Sequence, residues 1–301
     1  MHDMSSPFAR RVHLWAVLFL VLTGPCTMVA QTTMWATLFD QTLYLDDTYV
    51  PTDSLSSFHL RVTYDVTSVL DTARATTVKS RMLLEAGTGI SKYYSYARFK
   101  LDSLLRTDPR CPVSRACMKI QLGTDVFPPD FYEAVYQNYP TGKTTVIGRI
   151  VATDFLYEEP LQNFEWRITP DTSSWNGLPI QKATCTFRGR DYEAWFCPDI
   201  PVPLGPWKFR GLPGLIVRVS DSGQQYCFEA SRITNQLAGQ IWMPSYHFRK
   251  CARKEYLKAK GLVTANYALY QRHYNNGTGI IISPPPGYKR KALGNDFIEL
   301  E

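Results

Sequence analysis

The stretch that decides the fold covers residues 205–220 and reads Gly-Pro-Trp-Lys-Phe-Arg-Gly-Leu-Pro-Gly-Leu-Ile-Val-Arg-Val-Ser. Pro213 presets φ for the second position of a β-turn, and we expect Gly214 to supply the positive φ of a type II turn at the third. Aliphatic residues then recur at every second position from Leu215 to Val219, as in a strand with one buried face. The stretch is therefore predicted to be a structural element and not an active site.

A second turn is predicted just upstream, at Arg188-Gly189-Arg190-Asp191. We expect a two-residue hairpin loop with Gly189 at the position where a type II′ turn needs positive φ, so that Arg188 pairs with Asp191. Alternation then divides the hairpin into two faces. The apolar face carries Cys185, Phe187, Tyr192, Ala194 and Phe196. The polar face carries Thr186, Arg188, Asp191, Glu193, Trp195 and Cys197, so Cys185 and Cys197 are not expected to bond each other.

The turn region resembles the signature of the GLPGLI family, secreted proteins of Gram-negative bacteria. The matching residues are Gly211, Leu212, Pro213, Gly214, Leu215 and Ile216. The similarity extends to residues 82–85, 91–95, 183–196, 198–201 and 298–301. The resemblance implies one domain over residues 31–301, and the family has no assigned catalytic residues to carry over. The chain is also similar to a bowl-shaped antiparallel β domain that precedes the catalytic part of a secreted glycan-releasing amidase.

Periodicity along the rest of the chain predicts mostly strands. Expected strands cover residues 58–66, 76–85, 143–155, 164–169 and 224–233. Expected helices cover residues 92–105, 128–136 and 249–260. The predicted fold class is α+β but mainly β, with one strongly curved antiparallel sheet and a few flanking helices. The basic helix at 249–260 is interpreted as a solvated face, with contact to anionic lipid or glycan as the alternative.

The amino-terminal segment has the pattern of a secretory signal. Basic residues precede the apolar run 12–22, and small residues end it near Ala30. The run is too short for a permanent transmembrane helix. A lipoprotein alternative would use Cys26, but Pro25 fits a lipid-attachment site poorly. Residues 1–30 are therefore predicted to be a signal peptide, and the protein to be exported to the periplasm or to the outer membrane.

Cysteine usage is consistent with export. Removal of the signal leaves six cysteines, an even number that indicates disulfides in an oxidising compartment. Cys111 and Cys117 are the pair most expected to bond. No Cys-x-x-Cys occurs and histidines are few, so the sequence predicts no metal site and no cofactor.

Catalytic motifs are not apparent in the sequence. There is no Gly-x-Ser-x-Gly, no His-Glu-x-x-His and no phosphate-binding glycine loop. Glu158 and Glu159 are adjacent carboxylates, but neighbouring strand residues face opposite ways, and we interpret both as solvated loop charges. The formal net charge of +6 is mild, and an exported protein seldom meets nucleic acid.

Two hypotheses for function follow. The first is a non-enzymatic envelope protein whose curved sheet binds an apolar or glycan ligand or an envelope partner protein. The second is a hydrolase acting on envelope polymers or glycans. The residues predicted to bind are Trp195, Trp207, Phe209 and Arg188. The alternative for both tryptophans is burial beneath the tail or the helices.

We expect the exported chain to begin at Gln31, because Ala30 is the small residue at the end of the signal pattern. Intact-mass measurement and amino-terminal sequencing of the exported protein check this. A lipid-modified Cys26 would contradict it.

Overall fold

The computed structural model describes residues 52–71, 76–108, 133–150, 153–245, 247–265 and 298–299. All of them lie in one of the chain's two compact units, Asp46–Glu301; the other unit, Met1–Leu45, lies outside the described residues, as does the predicted signal. The described part is mainly β and forms one large sheet of twelve strands that is not closed. Neither of its helices is long and apolar enough to cross a membrane.

The sheet is almost wholly antiparallel. Its strands are β1 (Thr52–Asp71), β2 (Thr76–Gly87), β3 (Ser91–Ser95), β4 (Ala134–Gln137), β5 (Lys143–Ile150), β6 (Thr153–Pro160), β7 (Arg167–Trp175), β8 (Leu178–Phe187), β9 (Arg190–Cys197), β10 (Leu215–Asp221), β11 (Tyr226–Pro244) and β12 (Arg249–Lys250). Their order is β12-β6-β5-β4-β3-β2-β1-β11-β10-β9-β8-β7, and β12 pairs in parallel with β6. The helices are α1 (Tyr96–Thr107) and α2 (Arg253–Ala265).

Strand β1 lies near the middle of the sheet, between β2 and β11. Residues 58–66 alternate as predicted: Leu60, Val62 and Tyr64 are buried, whereas His59, directly before Leu60, is exposed. The Tyr64 hydroxyl donates to the Ile216 carbonyl at 2.7 Å, which ties the inner face of β1 to β10. We define the inner face as the one that packs the main hydrophobic core, and the outer face as its opposite.

The first residues of the predicted helix 92–105 belong to strand β3, and helix α1 begins only at Tyr96. All five residues of β3 are buried, and β3 pairs with β2 on one side and with β4 on the other. The Ser95 hydroxyl then accepts from the Arg98 backbone amide and caps α1. The buried residues Ala97, Leu101 and Leu105 recur every four positions and form the stripe that packs on the sheet.

Three other predicted elements differ from the structure in type or in bounds. The described end of the expected helix 128–136 is strand β4, because β3 and β5 supply hydrogen-bonding partners on both sides; residues 128–132 lie outside the described residues. The expected strand 143–155 is two antiparallel strands, β5 and β6. The expected helix 249–260 starts later, because Arg249 and Lys250 pair with β6 as β12.

The β8–β9 hairpin forms, but with a different turn. The loop residues are Arg188 and Gly189, both with positive φ, so the turn is of the I′ class and not II′. Asp191 pairs with Thr186 and not with Arg188 as predicted. Because the register changes by two residues, the strand side chains keep their predicted faces, but Arg188 lies in the turn and bonds Glu159 and Glu299.

The signature turn was predicted with the wrong glycine at positive φ. Gly211 has φ of +94°, whereas Gly214 is outside the left-handed region. Gly214 is required for a different reason: a Cβ there would lie 2.2 Å from the Cys197 carbonyl oxygen, so β10 begins in backbone contact with the end of β9. The Leu215 amide donates to the Ile200 carbonyl at 2.9 Å and holds this contact.

We expect Gly214→Ala to destabilise the protein by about 2–3 kcal/mol, because the added methyl overlaps backbone that cannot move away easily. Gly142→Ala is the matched control. Gly142 has φ of +79° and open space around it, so only conformational strain of about 1 kcal/mol is expected. Equilibrium denaturation measures both, and equal losses would contradict the steric explanation.

Candidate functional site

Residues 204–210 form a closed loop that enters the inner face of the sheet. An isolated bridge between Leu204 and Arg210 joins the two ends of the loop. Between them Trp207, Lys208 and Phe209 are all buried, and Trp207 has a positive φ of 52°. The segment in front of the signature is therefore inserted into the core and is not displayed at the surface.

Phe209 is the centre of an aromatic cluster. Its ring centroid lies between 4.9 and 6.3 Å from those of five other rings. These are Phe164, Trp166, Tyr192, Trp207 and Phe228. Phe187 adds contacts to Phe164 at 4.4 Å and to Trp207 at 6.1 Å. The inserted loop thus joins strands that are far apart in the chain.

Lys208, between these rings, is the centre of a buried group of charges that we call the Lys208 cluster. Its members are Lys208, Glu159, Glu299, Arg188 and Arg253. The Lys208 ammonium lies 2.6 Å from one oxygen of Glu159 and 2.6 Å from one of Glu299. Arg188 bonds the same two carboxylates at 2.7 and 2.5 Å, and Arg253 bonds Glu299. The Lys208 side chain is 1% exposed, so its charge depends on these partners.

The electrostatics of Glu299 reflect these partners. Burial alone would raise the pKa of its carboxyl, but attraction to Lys208 and then to the two arginines lowers the pKa below its usual value. Burial and the nearby carboxylates raise the pKa of the Tyr157 hydroxyl, to which Lys208 also donates at 3.2 Å. Glu299 is therefore ionised at neutral pH and cannot act there as a general acid.

A smaller ion pair adjoins the cluster on α2. Glu133 accepts hydrogen bonds from Tyr256 and Lys260, each at 2.6 Å. Burial raises the pKa of Glu133, but its interactions with Lys260 outweigh burial and lower it. Lys208 also lowers the pKa of Glu133, so the Glu133–Lys260 pair and the Lys208 cluster interact electrostatically.

Glu159 and Glu299 are close together, and hydrolases of glycosidic bonds use such pairs of carboxylates. Since Glu159 and Glu299 each lie 2.6 Å from the same ammonium, the two oxygens are at most twice that, 5.2 Å, apart. Retaining glycosidases hold their carboxyl groups at a similar separation. Here, however, the Lys208 ammonium fills the space where a sugar would have to enter, and both side chains are nearly inaccessible.

Lys92 is a second buried lysine, in a different environment. Its ammonium donates to the Trp242 carbonyl at 2.8 Å and lies 4.0 Å from the Tyr94 ring centroid and 5.6 Å from that of Tyr136. Glu85 is nearby but is bonded by Arg61 and by the Tyr94 hydroxyl. Burial is the largest influence on Lys92 and lowers its pKa to about 8.

The four residues predicted to bind do not form one site. Arg188, Trp207 and Phe209 meet at the inserted loop, where both aromatic rings are buried. Trp195 is half-buried and touches the main core, but on β9 it alternates with the buried Ala194 and Phe196 and so belongs to the outer face. Its indole nitrogen donates to Glu193 at 3.0 Å, and the Lys182 ammonium lies 5.9 Å from its ring.

Sequence reasoning missed most of the Lys208 cluster. Glu159 was interpreted as a solvated loop charge, which is wrong: it lies on β6, is buried and is paired. Glu158 does face the opposite way and is paired with Lys143. Arg253 gave no signal beyond its charge. The available hint was Lys208 itself, a lysine between two aromatic residues that were already expected to matter.

The described cysteines carry no disulfide. Cys185, Cys197, Cys227 and Cys251 are free thiols, and the expected pair Cys111 and Cys117 lies outside the described residues. Burial raises the pKa of the Cys185 thiol to about 12, which makes it unreactive. Within the described ranges no group of three or more His, Cys, Asp or Glu side chains could hold a metal ion.

Comparison with known proteins gives a family match over part of the chain. Residues 141–218, which include the signature, match a family described as "Protein of unknown function (Porph_ging)". A search of curated proteins found no match. The matching family carries another description than GLPGLI, and the resemblance to that family stays a prediction.

Solved structures give a similarity to PNGF-II, in two crystal forms. In each the sequence identity is 12%, the TM-score is 0.43 and 68% of this chain is covered. The matched parts are 32% and 33% of the PNGF-II chains. This chain therefore spans about a third of the length of PNGF-II.

We expect Lys208→Met to cost about 3–5 kcal/mol of unfolding free energy, because it leaves two buried carboxylates without their shared cation. Lys143→Met is the matched control: its pair with Glu158 is exposed and contributes about 0–1 kcal/mol. Urea denaturation at pH 7 measures both. Similar losses for the two variants would mean that the Lys208 cluster is not a stabilising centre.

Lys92 predicts a pH dependence of stability. Its pKa is about 8 in the folded protein against 10.5 for an ordinary lysine, so between these values the unfolded chain binds more protons. Stability is therefore expected to rise as the pH goes from about 8 to about 10.5, by about 3 kcal/mol at 1.36 kcal/mol per pKa unit. Lys92→Met should remove this part of the rise, whereas Lys79→Met, at an exposed position on β2, should keep it. Equilibrium denaturation at several pH values across this range measures the effect. The same rise in unfolding free energy with pH in wild type and in Lys92→Met would contradict the prediction.

Proposed function

We propose that this chain is a non-enzymatic exported protein of the cell envelope, periplasmic or associated with the outer membrane, that binds glycan on the outer face of a curved sheet. The single observation that carries the proposal is Trp195, a half-buried indole among charged and hydroxyl groups on a rigid sheet. The export part rests on the signal pattern of residues 1–30.

Curvature is supported by one contact across the sheet. Arg188, in the β8–β9 turn, bonds Glu159 on β6 at 2.7 Å, although β9 and β6 are eight steps apart in the strand order. Eight steps of about 4.8 Å would separate them by about 38 Å in a flat sheet. The two arms must therefore bend toward each other, which supports a bowl-like form with the inserted loop between the arms.

The charge arrangement supports binding over catalysis. The carboxylates of Glu159 and Glu299 on the inner face are shared by Lys208 and Arg188. The surrounding cations lower the pKa of Glu299, so its carboxylate stays ionised and paired at neutral pH and does not transfer a proton. A hydrolase would need a carboxyl that is free to exchange its proton with substrate.

The outer face around Trp195 has the composition of a sugar-binding surface. Trp195 pairs across the sheet with Lys182 on β8 and Arg218 on β10. The next row contains Glu193, paired with Thr184 and Ser220. A flat apolar ring beside hydroxyl, carboxylate and cationic groups matches a sugar, which offers one apolar face and a rim of hydroxyls. A glycan can form hydrogen bonds with these polar groups, which an entirely apolar ligand cannot, so glycan is favoured.

We expect Trp195→Ala to weaken binding of envelope glycans by about tenfold or more, because the ring is the main apolar contact. Trp195→Phe should retain part of the affinity. Ile168→Ala is the matched control, since Ile168 is an exposed large hydrophobic side chain of the β7 edge. Isothermal titration with purified peptidoglycan and lipopolysaccharide oligosaccharide fragments measures the effect.

Two results would contradict glycan binding at Trp195. If wild type binds no glycan fragment, or if Trp195→Ala binds as well as wild type, the outer face is not a glycan site. Release of reducing sugar from any of the fragments by the wild-type protein would show instead that the chain is a hydrolase.

A further inference from the structure

Glu299 reaches the Lys208 cluster from a separate segment of the chain. The described residues on either side of the intervening stretch are Ala265, at the end of α2, and Ile298. Between them lie 32 residues, 266–297. The three cations that hold Glu299 come from three other places: the β8–β9 turn, the inserted loop and the start of α2. Ile298 and Glu299 thus occupy a pocket that the rest of the fold builds.

The pocket contacts this short segment in three independent ways. Arg188, Lys208 and Arg253 bind the Glu299 carboxylate. The Tyr192 hydroxyl donates to the Ile298 backbone carbonyl at 2.8 Å. The Ile298 side chain packs against the main core. Proteins recognise extended peptides by combining contacts of these three kinds: a charged anchor, a main-chain hydrogen bond and an apolar contact.

Charge explains why the pocket needs an acidic occupant. Without Glu299, the three cations would face the single carboxylate of Glu159, which leaves a formal excess of two positive charges. The Lys208 side chain is 1% exposed and Arg188 is 18% exposed, so water can screen this excess only poorly. An anion in the Glu299 position is therefore strongly favoured over an empty pocket.

We propose that this pocket is a receptor for an acidic peptide segment in which an apolar residue precedes a glutamate, and that the chain's own Ile298–Glu299 segment occupies it in cis. A tethered segment acts at an effective concentration of the order of millimolar. A partner's peptide of the same chemistry must therefore compete with it. The pocket lies apart from the outer face around Trp195, so the inference does not rest on the proposed glycan site.

The test uses the full chain and a fluorescent peptide with the sequence of residues 296–301, Asp-Phe-Ile-Glu-Leu-Glu. Glu299→Gln removes the competing carboxylate in cis, and fluorescence anisotropy should then show binding about tenfold tighter than to wild type. A peptide with Gln in place of the Glu299 carboxylate should bind about tenfold more weakly than the parent peptide. Glu158→Gln, which removes an exposed carboxylate beside Glu159, is the matched control and should bind like wild type. Trp195→Ala should not affect peptide binding.

A second measurement covers the case in which Glu299→Gln unfolds. Wild type is irradiated with the same peptide carrying a photoreactive benzophenone in place of its phenylalanine. Cross-links are expected on the β8–β9 hairpin, and excess parent peptide should suppress them while the Gln peptide should not. Equal binding of the two peptides, or cross-links that neither peptide suppresses, would overturn the proposal.

Discussion

The buried ammonium of Lys208 is the interaction on which the rest of the structure depends. It lies between the carboxylates of Glu159 and Glu299, and Arg188 bonds both of them from the opposite arm of the sheet. An unpaired charge in this position would be very costly, so the loop, β6, the β8–β9 turn and the Glu299 segment must be in place together. This requirement favours one arrangement of elements that are distant in the chain.

The aromatic rings around Phe209 serve the same arrangement by other means. They supply apolar contact area without direction, whereas the ion pairs supply direction. Trp207 contributes to both, since its ring contacts Phe209 and lies 5.0 Å from the Lys208 ammonium. The half-buried indole of Trp195 lies apart from this loop, on the outer face. The proposed glycan site and the Lys208 cluster are then on opposite faces of one sheet.

The two buried lysines show how surroundings decide what a charge does. Lys208 has two carboxylate partners within 2.6 Å. Lys92 has a backbone carbonyl and two aromatic rings, with its nearest carboxylates bonded by arginines, and burial lowers its pKa to about 8. The first lysine holds the fold together in its charged form, and the second is protonated at neutral pH against a desolvation cost.

Local patterns in the sequence determined the strands with strict alternation, such as residues 58–66, and the faces of the β8–β9 hairpin, since both depend only on a period of two. That the signature is structural and not an active site stays a prediction. Tertiary structure alone decided three features. These are the glycine that has positive φ, the strand β4 in place of an expected helix, and the burial of Glu159. Each depends on a partner far away in the chain: Cys197 opposite Gly214, β3 and β5 beside β4, and Lys208 beside Glu159. Sequence periodicity reports which face a residue occupies, but contact between distant segments is a property of the folded chain.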